Sequence, residues 1–178
     1  MGRNLSLILA GFGGQGVLFA GKIIATAGLI EDREVSWLPS YGPEMRGGTA
    51  NCSVTLADDP IGSPLITAPN ALIVMNQPSM DKFESAVVPG GVAVVDSTLV
   101  QHIPDLANVS VCAVPATELA EENNMKGLAN VILVGKLFAE THFCEEETLF
   151  AAMEKCVPAR KRHLLDANIA ALKLGMQA

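Results

Sequence analysis

Gly11-Phe12-Gly13-Gly14-Gln15-Gly16 has the spacing G-x-G-x-x-G, the pattern in which backbone N–H groups at a helix start can cradle a phosphate. An apolar run, Leu5–Ala10, precedes it and reads as a buried strand. "VLFAGKIIATAGL" follows at helical spacing, so the context also fits a dinucleotide fingerprint. That fingerprint needs an acid at the end of the second strand to hold the ribose hydroxyls. Glu31 and Asp32 stand about 20 residues on, but they precede the strand-like "EVSWLP", and Pro39 and Ser40 occupy its end. A stand-alone NAD(P)-binding protein therefore remains only as an alternative reading. Gly16 to Lys22 also spells G-x-x-x-x-G-K, but Ile23 stands where a Ser or Thr would hold magnesium and the interior is apolar, which excludes an NTPase. Two readings of the glycine loop stay open: close packing of helix on strand, or a loop that also meets a ligand or partner.

The second constellation is "SYGPEMRGGTAN", Ser40 to Asn51. Gly42-Pro43 sets a turn, and Gly47-Gly48 permits close backbone approach. Between them Glu44, Met45 and Arg46 are presented, with Arg46 offering a planar fork to a carboxylate or phosphate and Glu44 able to orient it. A self-contained, exposed Glu44–Arg46 pair would contribute only ~0–1 kcal/mol, too little to require so constrained a setting. Tyr41 and Asn51 complete the stretch.

Other chemistry is sparse. Cys52, Cys112, Cys144 and Cys156 form no C-x-x-C, which argues against an iron–sulfur cluster or structural zinc. His102, His142 and His163 are scattered, and His142-x-Cys144-Glu145 reads as a helix boundary rather than a metal corner. A formal net charge of −7 argues against a nucleic-acid partner. The basic run Arg160-Lys161-Arg162 falls in the predicted first turn of the last helix, where the dipole disfavours it, and reads as a solvated face or a partner contact. With no secretory segment and no long apolar run, a cytoplasmic protein with reduced thiols is expected.

The elements that would position these residues alternate between strand and helix. After Leu5–Ala10, strands are predicted at Glu34–Pro39, at Thr49–Ala57 with alternating burial, at Ala71–Asn76, at Gly90–Asp96 and at Val109–Val114. Asn76 is placed to cap a helix through "PSMDKFESA", and Pro115 opens another. From Leu128 the pattern is helical, with a break at Pro158 and one final helix over 159–175. The expectation is one domain spanning 1–178, an α/β/α sandwich whose central sheet is mostly parallel, with an admixture of antiparallel pairing allowed. Scarce charge, 17% of residues, also suggests that other protein covers part of the surface.

"GFGGQGVLFAGKIIATAG", "EVSWLPSYGPEMRGGTANCSV", "PIGSP", "MNQPSMDKF", "PATELA" and "ANVILVGKL", in this order, resemble the gamma subunits of the 2-oxoacid:acceptor (ferredoxin/flavodoxin) oxidoreductases. The resemblance covers Leu5 to about Leu137 and extends to the gamma-type module of pyruvate:ferredoxin oxidoreductase. It implies a complex that converts a 2-oxoacid and coenzyme A to an acyl-CoA and CO2 and reduces ferredoxin or flavodoxin. Alpha, beta and ferredoxin-like subunits would hold thiamine diphosphate, magnesium and the iron–sulfur clusters. This chain would bind none of these and supply no catalytic residue or metal ligand. The form "PSYGPEMRGGTANC" is more like the 2-oxoglutarate and branched-chain members than the pyruvate ones, and 2-oxoglutarate is favoured; indolepyruvate is a further alternative. The contact residues expected are Gly11, Gly13, Gly14, Gln15 and Gly16, with Ser40, Tyr41, Gly42, Pro43, Glu44, Met45, Arg46, Gly47, Gly48 and Asn51. Both loops are expected at the C-terminal edge of the sheet. A surface built for absent companions would let the isolated chain form a symmetric dimer.

Overall fold

In a computed structural model, which describes residues 4–40 and 49–178, the first strand is the middle of the sheet. β1 (Leu5–Phe12) pairs in parallel with β4 (Ala71–Val74), which pairs with β5 (Val92–Asp96), which pairs with β6 (Ser110–Val114). On its other side β1 pairs antiparallel with β3 (Thr49–Ala57), and β2 (Glu34–Ser40) pairs antiparallel with β3 at the sheet's edge. The order β2-β3-β1-β4-β5-β6 therefore combines three parallel pairings with a β2–β3 antiparallel flank. The antiparallel flank follows from a short connection, since a parallel crossover needs a dozen or more residues. β1 runs to Phe12 rather than stopping at Ala10, because Gly11 and Phe12 find backbone partners in Ala50 and Thr49.

The alternation read in β3 is present: Ala50, Cys52, Val54 and Leu56 are buried, whereas Asn51, Ser53 and Thr55 are half-buried. Leu5, Leu7 and Leu9 of β1 face one core together with α1 (Val17–Ile30), α3 (Ala116–Glu122), α4 (Ala129–Thr141), α5 (Glu146–Cys156) and α6 (Leu165–Gln177). Ile8 faces the other way, onto a smaller core with Leu72, Val74, Val95 and Met80 of α2 (Gln77–Phe83). The sandwich is thus lopsided, with one thick helical layer and one thin one. Asn76 caps α2 as expected, its Oδ1 accepting from the Ser79 N–H at 2.8 Å, with Pro78 in the first turn.

The thick layer is tightest where α4 crosses α6. A Cβ placed on Gly175 would overlap the Ile132 carbonyl, and one on Gly135 would overlap the Leu172 carbonyl, so the two backbones touch. Only glycine permits that approach.

The final helix differs from expectation. Residues 159–164 form a 3-10 segment with Lys161 off helical geometry at φ −114°, ψ 17°, and α6 begins only at Leu165. Arg160-Lys161-Arg162 consequently precedes α6 instead of forming its first turn, which removes the unfavourable dipole contact. Arg162 turns back to α5, pairing with the Glu154 carboxylate and donating to its carbonyl.

Gly175→Ala is expected to lower unfolding free energy by about 3 kcal/mol in urea denaturation, the upper range for overpacking. A loss below about 0.5 kcal/mol would contradict the α4–α6 backbone contact.

Candidate functional site

The C-terminal ends of β1, β2 and β4 and the N-terminal end of β3 meet at one edge of the sheet. There Phe12 lies opposite Thr49, Ala10 opposite Asn51, and Asn51 opposite Ser40. The glycine loop leaves β1 at this edge, and the chain leaves β2 at Ser40 and re-enters at Thr49 beside it. Tyr41, Gly42, Pro43, Glu44, Met45, Arg46, Gly47 and Gly48 lie outside the described residues. Their flanking residues, Ser40 and Asn51, are two strands and one strand away from β1.

Gln15 organises the glycine loop. Its Oε1 accepts from the Phe12 N–H at 2.5 Å, and its Nε2 donates to the Met75 carbonyl, just past the end of β4, at 3.0 Å. The Met75 N–H in turn donates to the Ala10 carbonyl at 2.9 Å, so strand ends and loop are tied together. Gly11 is a buried β1 residue against Gln15, Met75 and Val17, whereas Gly13 and Gly14 are exposed. Gly16 takes φ 79° at the start of α1, and a Cβ there would lie 2.5 Å from Nδ2 of Asn130. That Nδ2 donates to the Gly16 carbonyl at 3.0 Å. The loop is therefore held by its own chain through close packing and two side-chain amides. Its exposed part, with Phe12, Val17 and Ala50, borders a depression of about 230 Å³. Leu38, Ser40, Asn51 and Ser53 border another, of about 370 Å³.

This arrangement does not fit a dinucleotide. The neighbours of β1 are β3 and β4, and β2 is separated from β1 by a strand that runs the other way. Glu31 and Asp32 follow α1 and so lie at the opposite end of the sheet from the glycine loop. Glu31 accepts from the Glu145 N–H at 2.6 Å, ahead of α5, and Asp32 makes the turn into β2 at φ 55°.

Buried polar residues at the same edge were not singled out by motif. Asp96, fully buried at the end of β5, accepts from the N–H of Thr98 and of Thr117 and, at 2.5 Å, from Oγ1 of Thr117. Asn130 is another. The legible signal was a polar residue ending an apolar strand, as Asn76 and Asp96 do. Both hold the start of a following helix or turn rather than a reacting group.

Three of the thiols are held in the protonated form by burial. Burial pushes Cys52 from about 9 up to about 12, against a smaller opposing effect from a hydrogen bond with Trp37. Burial also raises Cys112 and Cys156, the latter opposed by Thr26 and Lys22. Cys52, Cys112 and Cys156 are free thiols, and among the described residues no three His, Cys, Asp or Glu side chains gather as a metal set. Among the described residues no helix is long and apolar enough to cross a membrane.

Compared with known proteins, the chain matches the pyruvate ferredoxin/flavodoxin oxidoreductase family over residues 6–178 and belongs to that family. It is 37% identical over 169 residues to ketoisovalerate oxidoreductase subunit VorA of Methanothermobacter thermautotrophicus, covering 95% of this chain and 35% of that one. The chain thus spans about a third of the length of VorA proteins. It is 35% identical to 2-oxoglutarate synthase subunit KorC of Methanocaldococcus jannaschii, covering 84% of this chain and 82% of that one. The crystal structure of the gamma subunit of a keto/oxoacid ferredoxin oxidoreductase from Geobacter sulfurreducens superposes with a TM-score of 0.84 at 29% identity, covering 97% and 96% of the two chains. The α/β fold is that of these subunits.

Two outcomes are expected from this geometry. Gln15→Ala, which strips Phe12 N–H and Met75 O of their partner, should cost about 1–2 kcal/mol in thermal or urea unfolding. A thiol whose folded value is raised keeps its proton longer when folded, so its contribution is fully present below pH 9 and is lost as pH rises toward about 12. Stability should therefore fall with pH in that window, by up to roughly 1.4 kcal/mol per pH unit for Cys52, and Cys52→Ala should flatten the decline. An unchanged slope in the variant would contradict the burial of that thiol.

Proposed function

We propose that this chain is the gamma-type component of a multi-subunit 2-oxoacid:ferredoxin oxidoreductase that uses coenzyme A to form an acyl-CoA and CO2, with 2-oxoglutarate as the substrate. The observation that carries the reading is the family match over nearly the whole chain, joined by a 2-oxoglutarate synthase subunit of comparable length at 35% identity. A branched-chain 2-oxoacid is the second reading, favoured by the 37% identity to a ketoisovalerate oxidoreductase subunit.

In this reading alpha, beta and ferredoxin-like companions hold thiamine diphosphate, magnesium and the iron–sulfur clusters. Thiamine diphosphate supplies the carbanion stabilisation. The four cysteines of this chain form no C-x-x-C, the spacing on which cluster sites are built. The contribution of this chain is the rigid edge formed by the Gln15-pinned loop and the ends of β2 and β3. Ser40 and Asn51 stand at that edge, and the stretch between them is the proposed contact with the companions and coenzyme A. The chain is cytoplasmic in this reading, forms one domain, and dimerises when its companions are absent.

The native complex, isolated through a tag on this chain, should turn over 2-oxoglutarate with coenzyme A and a low-potential acceptor at least about tenfold more efficiently than 2-oxoisovalerate, pyruvate or indolepyruvate. Preference for 2-oxoisovalerate would select the second reading. Tight NAD(P)H binding or turnover by the lone chain would contradict both. Arg46→Ala should weaken assembly or raise the KM for coenzyme A about tenfold, the loss expected for one charge-assisted contact.

A further inference from the structure

A cleft of about 390 Å³ lies on the thick helical face, between the start of α1, the start of α4 and the 3-10 segment that leads into α6. Its apolar walls include Phe19 and Leu164, the latter 40% exposed. Lys22, Arg160 and Lys161 stand along it, all exposed, and none makes an ion pair among the described residues. An acidic chain of net charge −7, with 12 basic residues in all, thus gathers three of them at one opening. Like charges placed together without partners repel one another and favour an anionic occupant.

Two further residues of the lining are buried amides. Asn130 and Asn168 are only 3% and 4% exposed, and the Oδ1 of each lacks a hydrogen-bond partner. Their orientation is fixed, because each Nδ2 donates to a carbonyl, Gly16 O at 3.0 Å and Leu164 O at 2.7 Å; flipping either amide would set oxygen against oxygen. A buried acceptor left without a donor costs about 1–3 kcal/mol. Both oxygens are closed off from solvent, so they fix the floor, and the occupant is selected by the walls and the lip: an apolar group and negative charge. An acidic peptide segment with an apolar anchor has both.

We infer that this cleft docks an acidic, apolar-anchored segment of a companion polypeptide in the complex. The inference rests on the subunit reading above. The test is zero-length cross-linking of the native complex with a water-soluble carbodiimide, followed by peptide mass spectrometry. Lys22 and Lys161 should join Asp or Glu residues within one stretch of a companion chain. Arg160→Glu with Lys161→Glu should weaken association at least tenfold at low salt, with the melting temperature of the isolated chain unchanged because both side chains are exposed. An assembled complex in which these lysines join nothing, as a small anion in the cleft would produce, removes this inference and leaves the subunit reading standing. Cross-links to a second copy assign the cleft to self-association and overturn it, as does an unchanged association constant in the charge-reversed variant. If no companion chain co-purifies, this inference and the subunit reading fall together.

Discussion

The antiparallel pairing of β3 with β1 is the constraint on which the rest of the structure depends. Eight residue pairs, from Leu5 opposite Leu56 to Phe12 opposite Thr49, seat β3 where a dinucleotide-binding fold would seat a parallel strand. The pairing places the start of β3 beside the glycine loop. It carries β2 outward to the sheet's edge and gives Gly11 and Phe12 backbone partners. It also aligns Cys52, Val54 and Leu56 under α1, burying an apolar stripe against the same helix that begins at Gly16. The register is strongly held, because a one-residue slip would exchange this stripe for Asn51, Ser53 and Thr55.

Much of this was legible in the chain. The alternation of Thr49–Ala57, the cap at Asn76 and the apolar strands of the parallel half are local patterns, and local patterns survive folding. Strand neighbours are set by long-range pairing, so neither the insertion of β3 between β1 and β2 nor the extension of β1 to Phe12 could be read from periodicity. The G-x-G-x-x-G motif shows the same limit. Its spacing matches a phosphate loop, yet Gln15 takes up the Phe12 N–H and Asn130, 114 residues away from Gly16, closes on the loop. Nothing near Gly16 in the sequence announces Asn130.

The end of the chain was misread for a related reason. The period of residues 159–175 is helical, but Pro158 is extended and Arg162 is drawn back to Glu154, so the first turn tightens to a 3-10 segment. That change moves Arg160 and Lys161 from the axis of a helix N-terminus to the lip of a cleft floored by Asn130 and Asn168. A basic run that composition marks as an ordinary solvated face thereby becomes a positive opening on an acidic molecule. The candidate site itself was only half legible: the sequence marked both glycine-bearing stretches, and the sheet order explains why their ends share an edge.

Cross-strand nuclear Overhauser effects in the isolated chain test the central pairing most directly. Contacts linking Gly11 to Ala50 and Ser40 to Asn51 are predicted by the observed register. Contacts that instead join β1 directly to β2 as parallel neighbours, the order of a dinucleotide-binding sheet, would contradict it.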